Sequence, residues 1–248
     1  MSKISVAITI IFLLLIRTAL GQADKEFAVG YADNYDNLPT IHFKTAKEKD
    51  YKKSSAVNQL TRSIPTINRN NIIIPTGKGK IKLQKYNDSP NQPDGFRGWE
   101  YEGYFPILKC YTLISHSVSE HLDFSDLVLI DSNSAVQNTI ISVGDAAVEL
   151  PIPSPSGRFL TYYYNYDYER NSCFIGLLKI HDGGNRKKGR LSELMSFQTK
   201  DWAVDDIRWL DDNSFIVKAY AMQGQGNQKK KRFIYYLTKL DTVVKQND

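Results

Sequence analysis

The sequence predicts an all-β fold for most of this 248-residue chain, and three observations indicate it. From residue 71 to residue 240, short runs rich in β-branched and aromatic residues alternate with turns rich in Gly, Pro, Asp, Asn and Ser. The hydrophobic fraction of 42% and the aromatic fraction of 12% are too high for a chain that cannot form a core. No helix longer than two turns is needed in this region, which disfavours parallel α/β architectures.

Residues 1–21 have the pattern of a signal peptide. Lys3 precedes an apolar run over residues 4–16, and Ala19-Leu20-Gly21 places small residues at alternate positions for a signal peptidase. The apolar run is shorter than the roughly twenty residues needed to cross hydrocarbon, and no later stretch is as apolar. The sequence therefore predicts export to an extracytoplasmic location, periplasmic or secreted, with no integral membrane segment after cleavage.

Residues 22–70 are predicted to form an irregular, basic N-terminal extension that is loosely attached. Two short apolar stretches, 27–31 and 41–43, are candidate edge strands. Lysines crowd residues 44–53, as in a solvated face or mobile arm; a membrane- or polyanion-binding role is the alternative. The segment is expected to contain one short helix within residues 50–64, ended by Pro65. Four apolar side chains fall on one face of that helix: Tyr51, Val57, Leu60 and Ile64.

Residues 71–248 are predicted to form the β-rich domain, with eleven to twelve strands at close spacing. In order, the main candidates are 99–105, 110–115, 127–131, 138–143, 147–150, 158–164, 173–180, 191–197, 203–209, 215–220 and 232–240. They fall into three groups in which a strand, a tight turn and a second strand repeat with a period of about fifty residues.

Two turns resemble blade elements of TolB-like and WD40-like β-propellers. Residues 154–160 read SPSGRFL, which is similar to the "SPDG-(K/R)-hydrophobic-hydrophobic" element. Residues 207–212 read IRWLDD, which resembles the "hydrophobic-x-W-x-x-D" approach to the matching turn. In such a turn Pro sets the approach, Ser or Asp bonds the backbone, and Gly supplies a positive φ.

The span 96–160 is also similar to uncharacterised exported bacterial proteins with a "Y-x-G-Y…LID-x-x-(S/T)-G" arrangement, although Ala135 stands where a glycine is usual. The resemblance to propellers covers residues 99–240 and implies about three blade-like units. Closed propellers normally use at least four blades. The expected architecture is therefore an open, partial propeller-like or sandwich stack.

A row of tyrosines in residues 162–168 is the most unusual local feature. In a strand, alternate residues share a face, so Tyr162, Tyr164, Tyr166 and Tyr168 would lie together. Two interpretations compete. Tyr164, Tyr166 and Tyr168 could form a recognition face for protein or sugar, or the row could pack on cross-strand neighbours with its hydroxyls solvated.

The two cysteines, Cys110 and Cys173, both lie in apolar, strand-like contexts. Outside the cytoplasm the pair could form a disulfide that closes a long loop, which would stabilise the fold by about 4 kcal/mol. The alternative is two separate buried thiols. Neither cysteine has a second ligand nearby in sequence, which disfavours a metal site.

The sequence offers no catalytic signature and predicts no metal or cofactor. His116 and His121 are five residues apart and follow a strand, where odd spacing sends side chains to opposite faces. Residues 75–80 fit a hairpin turn better than a phosphate loop because they lead into a strand. The acidic clusters at 33–37, 205–206 and 211–212 lack the alternation of a calcium loop.

These patterns together predict an exported, non-catalytic binding module whose partner is a protein or an envelope component. The formal charge of +5 comes from scattered lysines and falls to +3 without residues 1–21, which disfavours a nucleic-acid partner. Whether the chain is an enzyme is left open. The alternative is an extracytoplasmic hydrolase acting on glycans or peptides, which convergent carboxylates or a Ser/His pair in a cleft would favour.

Overall fold

The structure is a computed structural model, and it describes residues 26–35, 37–54, 60–62, 65–87, 92–120, 122–142, 149–166, 171–181, 189–224 and 230–240. The predicted signal peptide therefore lies outside the described residues. Within the described ranges the chain is all-β, as predicted, with sixteen strands and two short helices.

The elements are numbered in chain order. The N-terminal part contains β1 (Glu26–Val29), α1 (Ala32–Tyr35), β2 (Lys44–Ala46) and α2 (Glu48–Lys53). Next come β3 (Thr66–Ile67), β4 (Asn71–Thr76), β5 (Gly79–Gln84), β6 (Arg97–Phe105), β7 (Cys110–Ser119), β8 (Leu122–Asp131) and β9 (Gln137–Ile140). The last group is β10 (Ile152–Pro153), β11 (Phe159–Asn165), β12 (Cys173–Ile180), β13 (Leu191–Thr199), β14 (Ala203–Asp211), β15 (Ser214–Gln223) and β16 (Lys230–Lys239).

These strands form four small sheets, and none of the four closes on itself. Sheet A has the order β1-β9-β8-β7-β6, with β1 parallel to β9 and the remaining pairs antiparallel. Sheet B is the antiparallel series β10-β11-β12-β13, and sheet C is β14-β15-β16-β2. Sheet D contains β3, β4 and β5.

The sheets stack in the order D, A, B, C, with one apolar core at each interface. Strand alternation explains how one sheet serves two cores. In sheet A, Leu113 and Val128 face sheet D, whereas Leu127 and Leu129 face sheet B. In sheet B the alternation continues: the A-facing core includes Leu160, and a third core between sheets B and C contains Phe159, Trp209 and Phe215.

The N-terminal segment differs from the expected loosely attached extension. It forms backbone hydrogen bonds with the edge strands of three sheets. β1 pairs with sheet A, the Ile41 N–H donates to the Ser196 carbonyl of sheet B at 2.8 Å, and β2 pairs with sheet C. The physical reason is that each strand edge offers backbone groups that need partners, a demand that side-chain patterning does not reveal.

The helix in this segment is also shorter than expected. It spans Glu48–Lys53 and ends at Ser54, while residues 55–59 and 63–64 of the predicted helix lie outside the described residues. Tyr51 is buried, as its place on the apolar face predicted. Neither helix in the described ranges has the length and apolar character needed to span a membrane.

The two cysteines are free, buried thiols, which is the second of the two alternatives, and the disulfide is not formed. Cys110 belongs to the core between sheets A and B. Cys173 belongs to the core between sheets B and C, because its side chain points to the other face of sheet B. Sheet B therefore separates the two sulfur atoms.

Candidate functional site

An open cleft of about 590 Å³ lies between sheets D and A, within the size range typical of ligand pockets. Its lining includes Ile67, Lys85, Tyr86, Trp99, Glu100 and Tyr101. Because Trp99 and Tyr101 point to one face of β6 and Glu100 to the other, all three can line one cleft only along the edge of the strand. β6 is the edge strand of sheet A, so the cleft runs along that edge.

Tyr86 forms one wall of the cleft, and local backbone contacts hold it there. Its N–H donates to the Trp99 carbonyl at 2.8 Å, which fixes the segment after β5 against β6. Gly98 permits this approach: a Cβ atom at that position would lie 2.8 Å from the Phe96 ring and 2.9 Å from the Tyr86 Cα. A larger residue at position 98 would push the wall outward.

The imidazole ring of His116 packs against the Tyr86 ring. The two rings are stacked, with centroids 3.7 Å apart and an interplanar angle of 11°. The Tyr86 hydroxyl donates to the Asp123 carboxylate at 3.4 Å. Tyr86 is thus held by a ring contact on β7 and a polar contact on β8.

Ser125 and Glu100 flank the His116 ring from the two neighbouring strands. The Ser125 hydroxyl lies 3.0 Å from the imidazole Nδ1, and the Glu100 carboxylate lies 3.4 Å from Nε2. The Nε2 atom is buried and has no hydrogen-bond partner among the described residues. This grouping is a Ser/His pair with a carboxylate, which sequence reasoning missed because the three residues come together only through strand pairing.

The geometry of this trio favours positioning over nucleophilic attack. Ser125 is only 6% exposed, and Tyr86 covers one face of the imidazole ring. A nucleophilic serine must present its oxygen to the substrate. In this structure the Ser125–His116 bond orients the ring on which Tyr86 stacks, so it shapes the cleft wall.

The cleft also carries opposite charges and a neutral phenol. The Glu100 side chain is 56% exposed, and Lys85 lies on the same cleft. Burial, together with the neighbouring Tyr111 and Tyr104, raises the pKa of Tyr101 to about 12, so that its hydroxyl stays protonated. Burial, reinforced by the Glu100 charge, raises the pKa of Glu102 on the same strand.

The tyrosine row does not reach this cleft. Tyr164 is 4% exposed and lies in the core between sheets A and B, where its ring stacks on Phe174 at 5.2 Å. Tyr166 is half-buried; its hydroxyl lies 3.1 Å from that of Tyr164 and accepts a hydrogen bond from the Gln198 amide at 2.7 Å. Tyr168 lies outside the described residues. Tyr164 therefore packs in the core, as the packing interpretation predicts, and it is not part of a surface recognition face.

The described carboxylates at 205–206 and 211–212 bind other groups of the same chain. Asp205 binds the Lys218 ammonium at 2.6 Å, and Asp206 binds Arg208 at 2.8 Å. Asp212 accepts the Ser156 N–H at 2.8 Å. Among the described residues, no group of three or more His, Cys, Asp or Glu side chains is placed to hold a metal ion, and His121 lies outside them.

Comparisons with protein-family models, curated proteins and solved structures found no match to this chain. The functional argument therefore rests on the cleft, its charges and the elements that build it.

Proposed function

We propose that the chain is a non-catalytic binding module whose ligand, part of a protein or an envelope component, lies in the cleft between sheets D and A. The observation that carries the proposal is the cleft itself, about 590 Å³ in volume, with three aromatic residues and two opposite charges on its lining. Aromatic side chains bury large areas at small entropic cost, and a few charged groups fix a ligand's orientation. The extracytoplasmic location rests on the signal-peptide pattern of residues 1–21.

The proposal includes the architecture: an open, partial propeller-like stack related to TolB-like and WD40-like blades. Face-to-face packing of small, mainly antiparallel sheets supports it. So does the contact between the two blade-like turns, in which Asp212 of one accepts the Ser156 N–H of the other. Gly157 has a φ of +74°, as the tight SPSG turn requires. Blades of this kind more often present binding surfaces than catalytic groups.

The test compares cleft variants with controls of equal exposure elsewhere. Ile67→Ala changes a cleft side chain that is 47% exposed, and Ile107→Ala is its control at 46%. Glu100→Gln changes a cleft carboxylate that is 56% exposed, and Glu48→Gln is its control, also at 56%. Purified variants would be cross-linked to a native envelope fraction, and the captured species would be quantified by mass spectrometry.

We expect each cleft variant to reduce capture of the same species about tenfold, the effect of losing one useful interface contact. The two controls should capture as much as the original chain. Equal capture by cleft and control variants would contradict the proposal, and the melting temperature of each variant would exclude unfolding as the cause.

A second candidate, an extracytoplasmic hydrolase, is favoured by one observation: the 3.0 Å contact between Ser125 and His116 with Glu100 at the other ring nitrogen. The two functions differ in their response to a fluorophosphonate, which labels only nucleophilic serines. The binding-module proposal expects no labelling of Ser125. Labelling that Ser125→Ala abolishes would favour the hydrolase.

A further inference from the structure

Sheet D is strongly and uniformly basic. Residues 65–87, which include all three of its strands, contain five Lys or Arg residues and no Asp or Glu. The chain as a whole is close to balanced, with 32 basic and 27 acidic residues. The positive charge on sheet D is therefore local, and the overall composition conceals it.

Strand alternation places two of these five residues on the outer face of sheet D. Ile74 and Leu83 point inward to the core shared with sheet A. On β5, Lys80 and Lys82 occupy the alternate positions and are both exposed, and Lys78 is exposed in the preceding turn. Two lysines thus point outward along the edge strand β5, and a third is exposed in the turn that leads into it.

Nothing described next to these lysines neutralises them. In the β4–β5 register, Lys80 lies opposite Pro75 and Lys82 lies opposite Ile73, so their cross-strand partners carry no charge. Within the described part of the chain, none of the three forms a salt bridge, whereas Lys218 in sheet C has a carboxylate at 2.6 Å. Like charges at neighbouring positions repel, so this arrangement favours a negatively charged partner.

We propose that the outer face of sheet D binds the surface of a membrane that contains anionic phospholipids. Lysine is a compact point charge that suits diffuse attraction to such a surface, whereas arginine, with its planar bidentate fork, is the residue of choice for nucleic-acid recognition. Of the five basic residues in this segment, only Arg69 is an arginine. The inference is independent of the cleft, because none of Lys78, Lys80 and Lys82 is among the residues that line it.

The experiment measures partition of the full chain onto vesicles of phosphatidylglycerol and phosphatidylcholine in equal parts, with pure phosphatidylcholine vesicles as the baseline. The baseline reports any binding by the apolar run at residues 4–16. The test variant is Lys78→Gln with Lys80→Gln and Lys82→Gln. The matched control is Lys44→Gln with Lys49→Gln and Lys53→Gln, which removes the same charge from exposed positions on β2 and α2.

We expect specific binding of the original chain to anionic vesicles that disappears as the salt concentration rises to about 0.5 M, where charges are screened. Each lysine near an anionic surface contributes about fivefold to the partition coefficient, so the test variant should bind about a hundredfold more weakly. The control should change binding by less than about threefold, far less than the loss expected of the test variant.

Three results would overturn the proposal: equal binding of the original chain to anionic and neutral vesicles, an equal loss in the control variant, or retention on immobilised duplex DNA without binding to vesicles. Melting curves of both variants would show whether they are folded. Should the triple variant melt early, the single variants Lys80→Gln and Lys82→Gln decide the question, each with an expected loss of about fivefold.

Discussion

Replacing Tyr164 by alanine distinguishes packing from recognition in the tyrosine row. The side chain is 4% exposed, its ring stacks on Phe174 at 5.2 Å and meets the Tyr166 ring edge-on at 4.9 Å. Truncating a fully packed aromatic residue leaves a cavity and costs about 3–5 kcal/mol of unfolding free energy. Tyr164→Phe removes only the hydroxyl that contacts Tyr166, which costs about 1 kcal/mol.

The assay is urea unfolding followed by tryptophan fluorescence. With a urea slope of about 2.5 kcal/mol per M, Tyr164→Ala should lower the midpoint by about 1–2 M. Tyr31→Ala, at a side chain that is 49% exposed, is the control and should leave the midpoint within about 0.2 M of the original. A Tyr164→Ala protein that keeps its midpoint but loses envelope capture would refute the packing argument and restore the recognition interpretation.

Three further outcomes are expected. Burial raises the pKa of Cys110 to about 12, although Arg190 opposes the shift, and burial also raises the pKa of Cys173. A thiol reagent should therefore find no reactive thiol in the native chain and two in denaturant. Arg190→Leu should cost about 3 kcal/mol in urea unfolding because it leaves the Asp131 carboxylate, 9% exposed, without its cation, and a loss below about 1 kcal/mol would contradict this. Burial raises the pKa of Tyr35 to about 12, although its hydrogen bond with the Tyr162 hydroxyl partly opposes the shift. The stability that this neutral phenol contributes to the fold is therefore complete below about pH 10 and is lost as the pH rises towards about 12. Absorbance at about 295 nm should show the ionisation of Tyr35 together with unfolding.

The lowered pKa of Asp131 predicts how the stability of the fold changes as the pH falls. Burial acts to raise the pKa of this carboxyl, but hydrogen bonds from the Ser134 N–H and hydroxyl and the charge of Arg190 outweigh it, so the pKa lies below the usual value. A depressed carboxyl pKa stabilises the fold above its unfolded value, and that stability is lost as the pH falls below it. The Arg190→Leu protein should therefore lose less stability on acidification than the original chain.

Local patterning located most of the strands, although β2, β3 and β10 were not predicted. The candidate strand at residues 173–180 coincides with β12, and the candidate at 110–115 is the first part of β7. The candidate at 147–150 is wrong where it can be compared: residues 149 and 150 belong to no strand, and residues 147 and 148 lie outside the described residues. Alternation between polar and apolar residues is encoded within a few neighbouring positions, so it can be read before any partner strand is known.

The candidate site could not be read in this way. Tyr86 and Glu100 lie on different segments of the chain, and neither belongs to a motif; the cleft exists because sheet D packs on one face of sheet A beside the edge strand β6. The contact between His116 and Ser125 depends on the register of β7 and β8. A one-residue shift in register would turn one of the two side chains to the opposite face.

The sequence by itself determined that this chain is all-β, where most strands lie, and that each strand has two different faces. Only the tertiary structure decided what covers each face. Tyr164 became a core residue because sheet A packs over that face of sheet B, and Lys80 and Lys82 became a charged surface because no sheet described covers sheet D from outside. The physical reason is that alternation is a local property of the backbone, whereas the choice of covering sheet depends on the packing of residues far apart in the chain.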